Sequence, residues 1–599
     1  MTNQNLPHVL RNNFDLFKLC FKTAPGYVIY FMLVYIRIAF FVFIEGTWLF
    51  SYVLECFEFG RPFWDAALYI IIYMVALSLG FLFDASMYSR VQDKYRPLIQ
   101  MRLKEKLYQK AREIDLSCYD NPEFYNEYIL VVSESDKQID RIFDILAKIC
   151  DGLTLAIFSI GFILATDSLS MVFVVVSFIL ILLANKKLTK LNVKIKIDKN
   201  PFERRLDYLK RLFYLNDYAK EVRLNTEISD VLLKDFDQAC DDSLEVDKKT
   251  VYKRFRLDFL RTYVFNEFIF NVIFVSYLAF KAVVLRQISF SSIVVLHVTA
   301  NRTRNRLYPI AEAYPIAQEV SMFMDKINNF LALEPAIISH GNKPVPEEAS
   351  VIELKNVSFK YNQAEDYILK NVNMTLDPYS KIAIVGYNGA GKTTLTKLIM
   401  RLYDPDEGEI LLNGTNIKEY ELSAYRKKIG VVFQDFKIFA ATVKENVLLD
   451  FADKGSDEAV ISALKKSGAL NRVNTLPNGI NSNLTTEFEK DGINLSGGEG
   501  QKVAISRVFY SDINLILLDE PSSALDPIAE YQLNNSMLTA AENKSVLFIS
   551  HRLSTTRIAD KIYMLENGRI IEEGSHTQLL ANNGKYAQMW RAQSRNYVS

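Results

Sequence analysis

Residues 382–394 read Ile-Ala-Ile-Val-Gly386-Tyr-Asn388-Gly389-Ala390-Gly391-Lys392-Thr393-Thr394, and this stretch decides the fold of the C-terminal part of the chain. The apolar run at its start predicts a buried strand, and a helical run follows it. GxxxxGK[ST] between a strand and a helix predicts a phosphate-binding loop, in which Lys392 reaches the β- and γ-phosphates and Thr393 ligates Mg²⁺. The glycines and the helix N-terminus would present N–H groups to phosphate oxygens. The alternative is a glycine-rich turn before an ordinary helix.

A second apolar strand is predicted downstream, at Leu515-Ile-Leu-Leu518, and it ends in two carboxylates, Asp519 and Glu520. A carboxylate at a strand end beside a phosphate loop suits a metal ligand, which we expect Asp519 to be. Glu520 is placed to polarise an attacking water. An acidic pair at a strand end is also common on protein surfaces.

A third motif, Leu495-Ser496-Gly497-Gly498-Glu499, precedes that strand. Ser496 can cap a helix, and the two glycines expose backbone N–H groups, so this helix end can bind a phosphate. The Ser-x-x-Glu spacing predicts a capping box, in which Glu499 completes the helix start. Together these motifs predict a soluble α/β domain over residues 351–599, after a proline-containing linker at 334–350.

Residues 1–333 have a different composition, with long apolar runs. A membrane span needs about 20 mostly apolar residues. Four runs qualify outright, and two carry charges that must face protein or water. The six predicted spans are Gly26–Phe50, Phe63–Phe83, Phe143–Ala165, Ser168–Ala184, Phe259–Leu285 and 288–310. The formal net charge of the whole chain is +0, so no basic excess indicates a nucleic-acid partner.

Positive charge in the loops predicts the orientation of these spans. Residues 86–142 contain ten Lys/Arg and residues 186–256 contain eighteen, whereas the other connections have few. We therefore expect both long loops, both termini and the α/β domain to lie in the cytoplasm of a multi-pass cell-membrane protein. The loops are too long for simple turns, so we expect helices that continue well into the cytoplasm.

The phosphate loop, the LSGG-type signature and the acidic strand, in this order after six spans, resemble an ABC (ATP-binding cassette) half-transporter of the exporter type. The resemblance covers essentially the whole chain. It implies an ATP hydrolase coupled to transport, with ATP and Mg²⁺ bound. It also implies a head-to-tail dimer, of two copies of the chain or with a related half-transporter, in which Ser496, Gly497 and Gly498 bind ATP held by the other subunit.

The resemblance also implies roles for individual residues. Tyr361 resembles the aromatic that stacks on adenine, and Gln434 resembles the glutamine that senses Mg²⁺ and water. His551 resembles the switch histidine at the γ-phosphate, and 523–526 the D-loop. Two segments midway through the two long loops are similar to coupling helices, which press on the nucleotide-binding domains: Asp120–Tyr125 and Tyr218–Leu224. The alternative is that they are ordinary loop helices, which have the same sequence features.

Two positions depart from the family pattern. Glu499 stands where glutamine is commoner, and we expect the site to stay competent. Lys490 replaces an acid in 486–492, a segment that in exporters often touches the membrane domain, while Glu487 and Gly492 are kept. Coupling between subunits is expected to differ in detail.

The transported substrate is open at this point: a small molecule, a lipid or a peptide. Arg302, Arg304 and Arg306 lie in the inner half of the sixth span, below His297. One interpretation is a basic patch that attracts an anionic or amphipathic substrate. The other places these arginines at the lipid headgroups or pairs them with Glu267 and Asp84. Besides an exporter, an ATP-gated channel or a regulator on the same fold fits the pattern.

Overall fold

The computed structural model describes residues 5–338, 341–362, 364–450, 455–519, 544–550 and 556–594, apart from a few individual side chains. The chain forms two compact units. The first consists of residues 1–112 and 127–333, and the second of residues 113–126 and 334–599. A short piece of the first long loop therefore belongs to the second unit.

The first unit is built from long helices. Their bounds are α1 Leu6–Thr23, α2 Pro25–Glu58, α3 Phe63–Glu113, α5 Pro122–Thr166, α6 Ser170–Tyr214, α7 Asn216–Leu224, α8 Glu227–Val283 and α9 Phe290–Leu331. The short α4, Leu116–Tyr119, lies in the second unit. Wider π-helical turns interrupt α2, α3 and α8 at Ile44–Leu49, Met87–Gln92 and Leu260–Phe274.

Four of these helices are far longer than a membrane is thick. Helices α3, α5, α6 and α8 contain 51, 45, 45 and 57 residues. At about 1.5 Å per residue, 45 residues extend about 68 Å, against about 30 Å of hydrocarbon. Each helix therefore continues well beyond a bilayer, as the length of the basic loops predicts.

Five helices of the described chain, α2, α3, α5, α6 and α8, are long and apolar enough to cross a membrane. Helix α9 is continuous over 42 residues, but it contains Pro309 and Pro315 as well as the three arginines. Helix α9 is long enough to cross a membrane, but its composition is not apolar enough. The sixth span therefore stays a prediction.

Helix α1 is an amphipathic helix that the sequence reasoning did not anticipate. Its buried face packs along α9, where Asn12 Nδ2 donates to Asp325 Oδ1 at 2.7 Å and Asn13 Nδ2 donates to the Ala317 carbonyl at 2.8 Å. Leu10 and Phe14 on the opposite face are exposed. Because the polar contacts of this helix join residues about 300 apart, local sequence gave no sign of them.

The second unit contains two sheets. The smaller one is antiparallel, with strand order β2-β1-β4-β5, and the larger has order β10-β9-β3-β8-β7-β6. The strands are β1 Ile352–Phe359, β2 Leu369–Leu376, β3 Lys381–Val385, β4 Glu407–Leu412, β5 Thr415–Asn416, β6 Ile429–Val432, β7 Leu515–Asp519, β8 Ser545–Ile549, β9 Lys561–Glu566 and β10 Arg569–Gly574. Strands β9, β3, β8, β7 and β6 are parallel, and β10 pairs antiparallel with β9.

Helices flank these sheets. They are α10 Lys392–Ile399, α11 Leu422–Lys427, α12 Val443–Leu448, α13 Asp457–Lys466, α14 Leu470–Val473, α15 Gly497–Tyr510, α16 His576–Ala581 and α17 Lys585–Ser594. The central strands are buried along their whole length, as expected of a parallel sheet covered on both faces. Since the carboxyl ends of parallel strands share one edge, the ends of β3, β7 and β8 lie at the same edge of the sheet. The predicted phosphate-binding loop begins at this edge, directly after β3.

Candidate functional site

The phosphate-binding loop lies between β3 and α10, in the strand–loop–helix context that its sequence predicts. Gly391 adopts a φ of +103°, and a Cβ atom there would lie 2.8 Å from Leu369 Cδ2. An L-residue would therefore be strained at this position and would also collide with the neighbouring strand. Glycine is the residue that both the turn and the close packing require.

Lys392 is only 6% exposed, and its ammonium is held by the loop itself. Nζ donates to the carbonyls of Gly386 and Tyr387, at 2.9 and 3.0 Å. The loop thus folds around the lysine side chain. The loop therefore holds the ammonium in a defined position, as a preorganised electrostatic site requires.

An open cleft adjoins the loop, and it brings several predicted site residues together. Its lining is Ile368, Asn388, Gly389, Ala390, Gly391, Lys392, Thr393, Thr394 and Gln434. The hydroxyl of Thr393 and the amide oxygen of Gln434 are hard oxygen donors, the ligand type that Mg²⁺ prefers. These two residues fit a magnesium ion beside the phosphates.

Tyr361 lies next to the phosphate-binding loop. Its hydroxyl is 3.3 Å from Thr394 Oγ1, and its ring meets the Tyr403 ring edge-on with centroids 5.3 Å apart. Lys397 Nζ lies 5.4 Å from the Tyr361 ring centroid. The predicted adenine-stacking aromatic therefore belongs to a cluster that also includes Tyr403.

The acidic strand lies close to the loop within the same sheet. Asp519 is the last residue of β7 and is 5% exposed, and β8 lies between β7 and the loop strand β3. Glu520, His551 and the 523–526 segment lie outside the described residues. Their predicted roles rest on the sequence and on the strand ends that they follow.

The signature motif begins α15, and the predicted capping box is confirmed. Ser496 N–H donates to Glu499 Oε2 at 2.9 Å, and Glu499 N–H donates to Ser496 Oγ at 3.4 Å. Ser496 and Gly497 are exposed at the helix start. None of the described residues that line the cleft comes from this motif. The exposed helix end is therefore open to another molecule.

The first predicted coupling segment lies in the second unit, with the α/β domain. Asn121 Oδ1 accepts from Glu123 N–H at 2.9 Å, and Pro122 begins the helix, as the sequence predicts. The segment is not a separate helix, however. It comprises the turn after α4 and the first residues of the 45-residue α5, because the helix that begins at Pro122 continues without interruption to Thr166.

Two contacts join this segment to the α/β domain. Asp115 carboxylate oxygens accept from Ala336 N–H at 2.5 Å and from Ile337 N–H at 3.3 Å. The Tyr403 hydroxyl donates to Asp120. Burial, and secondarily this hydrogen bond, raises the pKa of Tyr403, so the phenol stays protonated as the donor. Sequence reasoning missed Tyr403, which no motif marks.

The arginines of α9 do not form an uncompensated basic patch. Arg302 Nη2 lies 3.1 Å from Glu45 Oε1, and Arg306 Nη1 lies 2.6 Å from Asp151 Oδ2. Asp84 forms an ion pair with Arg37, so the predicted partnership with Asp84 is wrong. The prediction did not anticipate these pairs because the partners lie on α2 and α5, far away in sequence.

Arg304 is buried differently from its two neighbours. Its guanidinium lies 4.2 Å from the Phe270 ring centroid, and it donates to Asn301 Oδ1 at 2.6 Å. Glu267, a predicted partner, lies near enough to interact with it electrostatically. Three arginines spaced by two residues thus have three different surroundings.

Known proteins match both parts of this architecture. Residues 369–523 match the ABC transporter family. The subtilin transport ATP-binding protein of Bacillus subtilis is 27% identical over 544 residues, which is 88% of this chain and 86% of that protein. Staphylococcus aureus proteins named multidrug export ATP-binding/permease protein are 38% identical over 254 residues, and the match spans 42% of this chain and 43% of theirs.

A solved structure of a bacterial Atm1-family ABC exporter with ATP bound has the same fold. The TM-score is 0.75 at 21% sequence identity, and the match covers 96% of this chain and 98% of that one. These matches define the class of protein by its domain architecture, which is a helical domain with membrane-length helices followed by an α/β ATPase domain. The C-terminal domain is thus an ABC-type ATPase domain, and the chain as a whole has the fold of this exporter.

Proposed function

We propose that this chain is an ATP-driven exporter. It works as a dimer and moves an amphipathic molecule out of the cytoplasm or the inner leaflet. The observation that carries the proposal is the docking of residues 113–126, taken from a loop between membrane helices, onto the ATPase domain through Asp115 and Asp120. Motion of the ATPase domain is thereby passed to the helices. The relatives named for subtilin transport and for multidrug export support a substrate of one of those two kinds.

The nucleotide site supports a two-copy mechanism. One copy supplies the loop with Lys392, Thr393 and Gln434, and the exposed end of α15 in the other copy supplies Ser496, Gly497 and Gly498. Thr393, Gln434 and Asp519 would hold Mg²⁺, which would supply positive charge against the phosphates. Glu520 polarises the attacking water, and His551 contacts the γ-phosphate. Hydrolysis releases the closed pair and resets the helices.

The charged pairs in the membrane domain favour an amphipathic substrate over a simple anion. Arg302 is balanced by Glu45 and Arg306 by Asp151, so neither arginine presents an unopposed charge. Side chains of Arg302 and Glu45 are 36% and 49% exposed. A molecule with an apolar body and polar groups can contact both charges without leaving either unpaired.

The test is ATP-dependent uptake of a fluorescent amphipathic dye into inverted membrane vesicles that contain the full chain. An exporter accumulates dye with Mg²⁺–ATP and not with a non-hydrolysable analogue. Dissipation of a preset dye gradient, without accumulation, would instead indicate an ATP-gated channel. ATP hydrolysis that appears only on addition of a second half-transporter would identify one half of a heterodimer. Stimulation of hydrolysis by particular lipids would indicate a lipid substrate.

We expect Tyr403→Phe to uncouple hydrolysis from transport. The change removes the hydroxyl that donates to Asp120 but keeps the ring that packs on Tyr361. A hydrogen bond to a charged group contributes about 1.5–3 kcal/mol, so its loss would weaken the docking of the segment about tenfold or more. Basal ATP hydrolysis in nanodiscs should stay within about twofold, while dye uptake per ATP falls about fivefold or more.

Tyr420→Phe is the matched control for this variant. Its buried hydroxyl donates to the Leu412 carbonyl at 3.1 Å, inside the ATPase domain. If both variants gave the same uptake per ATP, the Tyr403–Asp120 contact would have no coupling role.

A further inference from the structure

The signature helix α15 carries a negative charge in its first turn. Glu499 Oε2 accepts from Ser496 N–H at 2.9 Å, and its other oxygen, Oε1, lies 2.9 Å from Arg472 Nε. One carboxylate oxygen of Glu499 therefore caps the helix, and the other forms an ion pair with the Arg472 guanidinium. Arg472 lies on the neighbouring short helix α14, at 27 residues' distance in sequence.

This carboxylate does not lose its charge near neutral pH. The Ser496 backbone N–H, and then the Ser496 side chain and the charges of Arg472 and Lys502, hold the pKa of Glu499 below its usual range. A permanent negative charge at a helix N-terminus competes with any phosphate that binds there. The dimer needs this helix end to accept a γ-phosphate, so the charge needs a counter-charge.

Arg472 is held in place to supply that counter-charge. Its Nη1 donates to Thr475 Oγ1 at 3.1 Å, and the Thr475 hydroxyl donates back to the Arg472 carbonyl at 2.7 Å. The guanidinium is thus fixed between Thr475 and Glu499. Lys502, the other cation near Glu499, lies on α15 itself.

We propose that Arg472 is a positioning residue for ATP binding at the signature: it balances the charge of Glu499 and keeps that side chain in the capping box. The N-terminus of α15 then accepts the γ-phosphate of ATP held by the second copy. This inference rests on the proposed dimer. Arg472 acts through Glu499 and is not itself a catalytic residue.

Four forms of the full chain in nanodiscs test the inference: unmodified, Arg472→Gln, Glu499→Gln and the double variant. ATP hydrolysis is measured over a range of ATP concentrations. Arg472→Gln should raise KM for ATP about tenfold with kcat within about twofold, because uniform phosphate binding is weakened. Glu499→Gln should lower KM, because the helix end then carries no negative charge. In the double variant KM should return to within about twofold of the unmodified value.

The decisive outcome is that Glu499→Gln restores KM for ATP in the Arg472→Gln background. If Arg472 had only a structural role, removing the charge of Glu499 would not restore KM. An unchanged KM in Arg472→Gln, or a double variant as impaired as Arg472→Gln, would overturn the inference. Arg569→Gln, at an exposed arginine of β10, is the matched control and should leave KM unchanged.

A second measurement keeps the test independent of turnover. In a Glu520→Gln background, the ATP concentration that yields half-maximal crosslinked closed dimer should follow the same order, highest for Arg472→Gln and restored in the double variant. If the background chain formed no ATP-dependent dimer at all, the proposed function would fail as well. If it dimerised but the order was absent, only the role of Arg472 would fail.

Discussion

Replacing Lys392 by alanine is expected to lower ATP hydrolysis by more than about 100-fold, because a preorganised charged donor at the transferred phosphate is lost. The side chain is buried, and its ammonium donates to the Gly386 and Tyr387 carbonyls. The substitution therefore removes the predicted phosphate contact and also the lysine's hydrogen bonds to two loop carbonyls. We expect both ATP affinity and turnover to fall, measured by fluorescent-ATP binding and by phosphate release in nanodiscs.

The control for this variant is Lys465→Ala, at an exposed lysine near the end of α13. It removes the same charge from the same domain without touching the cleft. Lys392→Arg is expected to be inactive too, since a planar guanidinium does not reproduce the compact ammonium between two carbonyls. Retention of more than half the activity in Lys392→Ala would show that the loop does not hold ATP in this way.

Glu520→Gln is expected to lower turnover by about 100-fold or more while ATP still binds, because a general base contributes about 10²–10⁴ to the rate. Glu520 follows Asp519 in sequence, and Asp519 ends β7 at the sheet edge where the phosphate loop begins. The amide keeps the size of the side chain but cannot accept a proton from water. ATP should therefore remain trapped, and the closed dimer should accumulate.

The two variants separate binding from hydrolysis. Lys392→Ala should form no ATP-dependent dimer, whereas Glu520→Gln should form it at low ATP concentration. Glu409→Gln, at an exposed glutamate of β4, is the control for the loss of a carboxylate. If Glu520→Gln failed to bind ATP, or hydrolysed it at the normal rate, the assignment of the base would be wrong.

Local chemistry made much of the ATPase domain predictable from the sequence. The strand–loop–helix around Lys392, the capping box at Ser496 and Glu499, and the helix start at Asn121 and Pro122 each depend on residues a few positions apart. Such motifs satisfy their own backbone groups, so the sequence around them suffices.

Contacts between distant segments were not predictable in the same way. The Arg306–Asp151 and Arg302–Glu45 pairs join residues 155 and 257 positions apart, and Tyr403 meets Asp120 across 283. The acids in the apolar runs, Glu45 and Asp151, were the available signal, since a buried intramembrane charge requires a partner. Which arginine each acid meets depends on helix packing, which the sequence alone does not specify.

The paired arginines of α9 have an electrical consequence. A single charge that crosses the membrane field exchanges about 2.3 kcal/mol with a potential of 100 mV. Arg302 with Glu45, and Arg306 with Asp151, each sum to zero charge. As long as each pair moves as a unit, any reorientation of the helices transfers no net charge of these pairs through the field. The voltage across the membrane then does no work on them.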